Sequence, residues 1–160
     1  IAFIEFYMRK CATLIATVFG IGKIPIAPGT CASLFALPLA WLIIGEWGIF
    51  GCITLTILLF LIGLWGIRIY LENSFVGDPP EVVIDEVIGQ LIPLIFIQKH
   101  LLLYLVAFCL FRVFDIWKPL LIGAIDKKIR GPLGIMLDDV AAGSLTAICL
   151  IILVNIMDLL

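Results

Sequence analysis

The sequence predicts an all-α fold: a multi-helix integral membrane bundle forming one domain over 1–160, with short cytoplasmic loops. Three observations predict it. Hydrophobic residues make up 64% of the 160 residues, against about 45–50% in an average soluble domain, and mean hydropathy is +1.27. A chain this short leaves a large share of its surface exposed, so one aqueous core cannot hide the excess. The run Trp47–Ile67 carries no charge and as a helix is long enough to cross roughly 30 Å of hydrocarbon. The basic residues, finally, fall almost entirely on one side of the apolar segments.

The elements follow in order. Cys11–Ile21 reads as an interfacial or buried helix. No small-residue cleavage site followed by polar sequence comes after it, so it is not read as a signal peptide. The chain opens on Ile1 rather than Met, and a few preceding residues are expected. Cys31–Ile44 is apolar and contains Pro38; Thr30, just before it, is the expected N-cap. Val87–Ile97 and Leu101–Phe114 are short for full spans and are separated by Gln98, Lys99 and His100. They form either a tight helical hairpin or segments partly enclosed by protein. Val140–Met157 is interrupted only by Ser144, Thr146 and Asn155.

Let the chain cross at 31–45, 47–67, 87–97, 101–114 and 140–157. Arg9, Lys10, Lys23, Arg68, Arg112, Lys118, Lys127, Lys128 and Arg130 then share one face, and only Lys99 lies on the other. Basic residues favour the cytoplasmic side, which places the first face there. The same face collects Glu72, Asp78, Glu81, Asp85, Glu86, Asp115, Asp126, Asp138 and Asp139, leaving Glu46 and Asp158 opposite.

Two acidic pairs lead into apolar helices with a glycine about one turn on: Asp85-Glu86 before Gly89, and Asp138-Asp139 before Gly143. Either pair alone is equally explained by the helix dipole, which favours acids in a first turn. Two pairs on one face repel and raise each other's pKa unless a cation sits among them. An oxygen-only set of this kind suits Mg²⁺, and the glycines let the helices approach closely. Arg112, Asp115 and Lys118 are spaced three apart, share a broad helix face, and interrupt an apolar helix near its cytoplasmic end. Ionisable groups at such depth are costly and mark function. Asp115 is a candidate further metal ligand, and Arg112 or Lys118 a phosphate holder; a self-neutralising Arg112–Asp115 pair is the plainer alternative. The start of the helix near Thr30, with Lys23 before it, offers free N–H groups and charge to an anion.

Other chemistries are poorly provided for. Net charge is −2, which gives no basic excess for nucleic acid. The five cysteines form no CxxC pair, and the single histidine, His100, lies on the opposite face. Neither a cysteine-phosphatase loop, nor a DxDx[TV] nucleophile motif, nor a GxxxxGK[ST] loop occurs. Carboxylates, a metal and basic groups remain, an inventory suited to metal-assisted attack of water on a phosphate. A small ion or solute transporter using Arg112 and Asp115 is the alternative, but Trp47–Ile67 offers a polar path only Thr54 and Thr56. An assembly subunit needs fewer acids than are present, and the DGxxAR signature of lipid phosphotransferases is absent.

Four segments in register carry a resemblance: Pro28-Gly29-Thr30, Ile84 to Gly89, Phe111 to Pro119 and Gly134 to Gly143. Together they resemble the bacterial phosphatidylglycerophosphatase A family, with order and spacing agreeing over roughly residues 17–157. The resemblance implies an all-helical, Mg²⁺-dependent phosphatase of the bacterial inner membrane, multi-pass, with its active site facing the cytoplasm. It implies that the enzyme converts the lipid phosphatidylglycerophosphate to phosphatidylglycerol. It carries acidic roles onto Asp85, Glu86, Asp115, Asp138 and Asp139, and basic ones onto Arg112 and Lys118.

Overall fold

The computed structural model describes residues 2–72, 74 and 76–158, and among them there is no strand. Six helices lie among the described residues: α1 (Ala2–Ala16), α2 (Pro28–Leu71), α3 (Ile84–Ile95), α4 (Leu101–Trp117), α5 (Leu120–Lys128) and α6 (Pro132–Asp158), with one 3₁₀ turn at Ile21–Lys23.

The long α2 is two helices back to back. Gly48 breaks it at φ 66°, ψ −167°, a conformation open to glycine and strongly disfavoured for residues with a Cβ. The chain reverses there. Gly29 in the first half packs on Glu86, and Gly63 in the second packs on Ile84, so both halves reach the same end of α3. Trp41 and Cys52 likewise both lie beside Tyr104. Segments 28–47 and 49–71 are about 30 Å and about 34 Å long at 1.5 Å per residue. The turn expected at 45–47 therefore falls at Gly48.

Helix α3 is the centre of the bundle. Nine residues of its short length are buried, among them Val87, Ile88, Leu91 and Leu94. It packs against both halves of α2 on one side and α6 on the other. Its twelve residues span only about 18 Å. It is therefore a short helix enclosed by protein, one of the two readings offered for 87–97. Among the described residues, the stretches Pro28–Leu71 and Pro132–Met157 are long and apolar enough to cross a membrane. Their outer faces expose Leu42, Phe50, Leu61, Ile152 and Ile156.

Three further expectations are corrected. The helix expected over 11–21 ends at Ala16, because Val18, Phe19 and Gly20 all take positive φ; Val83 N–H then bonds the freed Ala16 carbonyl at 2.9 Å. Thr30 is not an N-cap: Ala27 holds that position without a side-chain bond, and Pro28 opens the helix, where its missing N–H costs nothing. Finally, α5 occupies a stretch read as loop.

The bundle has two distinct ends. Gly29, Ile84, Asp115 and Asp139 gather at one. Gly48, Lys99 and the start of α4 mark the other, where Lys99 lies against Gly45 and over the Trp41 ring.

A candidate carboxylate metal centre

Asp85 and Glu86 are in the first turn of α3, where the helix dipole favours negative charge. Asp139 faces them from α6. Carboxylate oxygens of Asp85, Glu86 and Asp139 all lie within 4.8 Å of one another. Backbone packing fixes this approach. A Cβ on Gly143 would strike the Gly89 carbonyl, and one on Gly89 would lie 2.7 Å from the Asp139 carbonyl oxygen. Each glycine sits about a turn beyond its acids, so the helices touch backbone to backbone just below the cluster. Gly29 serves the same end from α2: a side chain there would occupy the place of the Glu86 carboxylate.

The surrounding charges are arrayed in layers. Asp115 on α4 faces Asp139 and accepts from Arg112 Nη1 at 2.6 Å. The same Arg112 nitrogen donates to Ser33 Oγ at 3.2 Å, and Ser33 donates in turn to the Gly29 carbonyl at 2.8 Å. This chain ties α4 to the first half of α2. Lys118 ends α4 in the left-handed conformation, φ 44°, ψ 60°, which is strained for a residue with a Cβ. Its Nζ donates to Asp138 Oδ2 at 2.6 Å, while Asp138 Oδ1 accepts the Asp139 N–H at 3.1 Å.

Five carboxylates thus face two cations, and burial raises the cost. Desolvation, then the charges of Glu86 and Asp139, push the Asp85 carboxyl well above the usual carboxylate range. Desolvation pushes Glu86 up to about 7, against the opposing pull of its hydrogen bond with Asp85. Asp85 Oδ1, Glu86 Oε2 and Arg112 Nε are buried without a hydrogen-bond partner among the described residues. Orphaned oxygens on crowded acids are what a bound divalent cation resolves. Mg²⁺ takes oxygen ligands at about 2.0–2.1 Å in an octahedron, so ligand atoms on one ion stand roughly 3–4 Å apart. The observed spacing admits that ion, and the residues present fit it.

The structure brings together Asp85, Glu86, Asp115 and Asp139, with Arg112, Lys118 and Asp138 around them. Asp138 is not in the tight cluster but engages Lys118. Thr30 lies in the first turn of α2, beside Gly29. Lys23 is elsewhere: it lines a separate cavity with Arg9, Tyr70 and Glu81. Two participants were not singled out from sequence. Ser33 lies within the apolar run Cys31–Ile44. Gln90, fully buried one turn below Glu86, has an amide with no partner among the described residues; a lone polar residue inside an apolar helix was its signal.

Fold and site together define an all-helical protein, among the described residues, with a buried carboxylate cluster that could hold a divalent cation. The sequence profile of phosphatidylglycerophosphatase A matches residues 14–154, and the chain belongs to that family. It is 35% identical to phosphatidylglycerophosphatase A of Escherichia coli, covering 84% of this chain and 78% of the relative. It is 38% identical to phosphatidylglycerophosphatase A of Haemophilus influenzae, covering 81% and 80%. A Bacteroides thetaiotaomicron protein named "Putative phosphatidylinositol-3-phosphatase" is 37% identical, covering 81% and 85%. No solved structure matches the chain.

Proposed function

We propose that this protein hydrolyses the terminal phosphate of phosphatidylglycerophosphate to give phosphatidylglycerol and inorganic phosphate, a step of phospholipid biosynthesis. The gathering of Asp85, Glu86 and Asp139 within 4.8 Å, flanked by Arg112 and Lys118, carries the reading. Asp85, Glu86 and Asp139 would hold Mg²⁺, with Asp115 and Asp138 close outside. Bound there, Mg²⁺ supplies Lewis acidity, polarising a phosphate oxygen and lowering the pKa of water. Arg112 and Lys118 hold non-bridging oxygens and offset the charge that builds in the transition state. A carboxylate of the cluster takes the proton from the attacking water. The P–O bond to the glycerol breaks, and the leaving oxygen ends as the product hydroxyl. Thr30, at the helix start beside Gly29, adds N–H groups on the phosphate side; Lys23, in its separate cavity, is given no part in the reaction.

We further propose a multi-pass protein of the bacterial inner membrane, with the carboxylate end facing the cytoplasm. The exposed apolar faces of α2 and α6 support it, as does Lys99 standing at the end away from the acids. Ionisable groups gather at one end rather than along the depth of the helices, which favours a phosphatase over a transporter.

The test is phosphate release from phosphatidylglycerophosphate in detergent micelles, with Mg²⁺ or EDTA, for wild type and Asp139→Asn. Release that needs Mg²⁺ and vanishes in a folded variant is expected. Full activity in the variant removes the site assignment. Phosphatidylinositol 3-phosphate belongs in the same assay, because one relative bears that substrate in its name; faster turnover of it would replace the substrate proposed.

A further inference from the structure

Pro119, Ile122 and Ile125 on one side and Ala141, Leu145 and Ile148 on the other wall a groove of about 630 Å³ between α5 and α6. The volume is that of a ligand site, and the lining is hydrocarbon apart from Lys128 and Ser144. On α6 the wall residues follow helical spacing, so they form one stripe. Asp138, three residues before Ala141, heads that stripe. Across the groove, Pro119 directly follows Lys118. The Lys118–Asp138 pair, 2.6 Å apart, therefore adjoins both walls of the groove, and Asp139, next in the chain, belongs to the carboxylate cluster. The apolar groove thus neighbours the end of the bundle that carries the carboxylates. Ala141 to Ile148 covers about 10 Å of helix, and Ile148 is 54% exposed, so the far end stays open.

An open-ended apolar channel with an ionic head matches an amphiphile whose tail continues beyond it. We propose that the groove seats one acyl chain of the lipid whose phosphate is cleaved, an inference that rests on the phosphatase reading of the cluster. Bilayer hydrocarbon solvates a tail as well as the groove does, so the seat contributes orientation rather than affinity. Holding the tail fixes how far the phosphate reaches toward Asp85, Glu86 and Asp139. Small errors in such placement cost rate, so filling the groove acts on kcat.

Ser144 is exposed on this face, and Ser144→Trp fills the groove without crowding the core; Ala141→Phe is the second filler. The assay measures kcat and KM for phosphatidylglycerophosphate in micelles and for its deacylated, water-soluble headgroup, glycerophosphoglycerol phosphate. Thermal stabilisation by Mg²⁺ alone reports fold and metal site. The expected result is at least a tenfold loss of kcat on the diacyl substrate, with the deacylated rate and the Mg²⁺ shift unchanged. If wild type accepts only the diacyl substrate, the diacyl loss with an intact Mg²⁺ shift supports the groove. Equal loss on both substrates, or wild-type diacyl turnover in both variants, overturns it. A changed oligomeric state with diacyl turnover intact also overturns it, and gives the face to a second copy. A wild type that turns over neither compound instead breaks the phosphatase reading itself.

Discussion

Replacing Gly89 with alanine should disable the centre without touching a charged group. The added Cβ would lie 2.7 Å from the Asp139 carbonyl oxygen and 2.7 Å from the Phe111 ring. A carbon and a carbonyl oxygen need about 3.3 Å even in a favourable close contact, so α3 and α6 must part by about 0.6 Å at Asp139 itself. Phe111 is fully buried and has no free space to yield. Overpacking of this kind costs typically about 1–3 kcal/mol, which a folded bundle tolerates. The site tolerates it less well, because about 1 Å of misplacement costs roughly 100-fold in rate. We expect kcat to fall about 10- to 100-fold and Mg²⁺ to raise the melting temperature less than in wild type. Phosphate release and thermal unfolding in detergent, each titrated with Mg²⁺, measure both. Wild-type turnover with unaltered Mg²⁺ dependence would refute the idea that the α3–α6 backbone contact sets the cluster.

Three further outcomes are expected. The raised pKa values of Asp85 and Glu86 make the metal-free protein less stable as pH rises: the unfolded carboxyls lose protons from about pH 4, while folded Glu86 holds its own to about 7. The folded state then binds more protons, and for Glu86 alone the stability lost across that window is about 3 kcal/mol. Melting in EDTA should therefore fall between pH 4.5 and 7.5, and Mg²⁺ should stabilise more at pH 7.5 than at pH 5; a flat profile would count against the crowded acids. Lys118→Gly keeps the left-handed turn at φ 44° but removes the ammonium paired with buried Asp138, so it should lose at least tenfold in kcat; unchanged turnover would show that Lys118 only ends the helix. Gln90→Leu removes one buried amide, whose nitrogen and oxygen both lack partners among the described residues, and should raise stability by about 1 kcal/mol, read by thermal unfolding; a clear loss of stability would reveal that the amide is satisfied.

The sequence showed the helical class, the two acidic pairs and the role of their glycines, because short-range spacing encodes all three. It did not separate Asp138 from Asp139. Neighbouring helix residues point about 100° apart, so only one can face α3. Asp139 lies one turn before Gly143 and shares its face, whereas Asp138 heads the stripe of Ala141 and Leu145. That distinction was legible in the spacing once the glycine face was known to meet α3. The place of Lys23 was not legible, since it depends on how the 3₁₀ turn nests beside Glu81, a tertiary fact. Nor was α3's depth: an apolar run of its length reads alike whether lipid or protein surrounds it.

The enclosure of α3 has a consequence for biosynthesis. Its acids leave the ribosome on the order of fifty residues before Asp139 does, and α6, which completes the enclosure, is synthesised after the other helices described. Until then Asp85 and Glu86 stand at the mouth of an unfinished bundle, where water can still solvate them. Packing of α6 expels that water and completes the carboxylate cluster. Completion of the cluster is therefore tied to synthesis of α6, and a nascent chain that stalls before it carries the acids of α3 without Asp139.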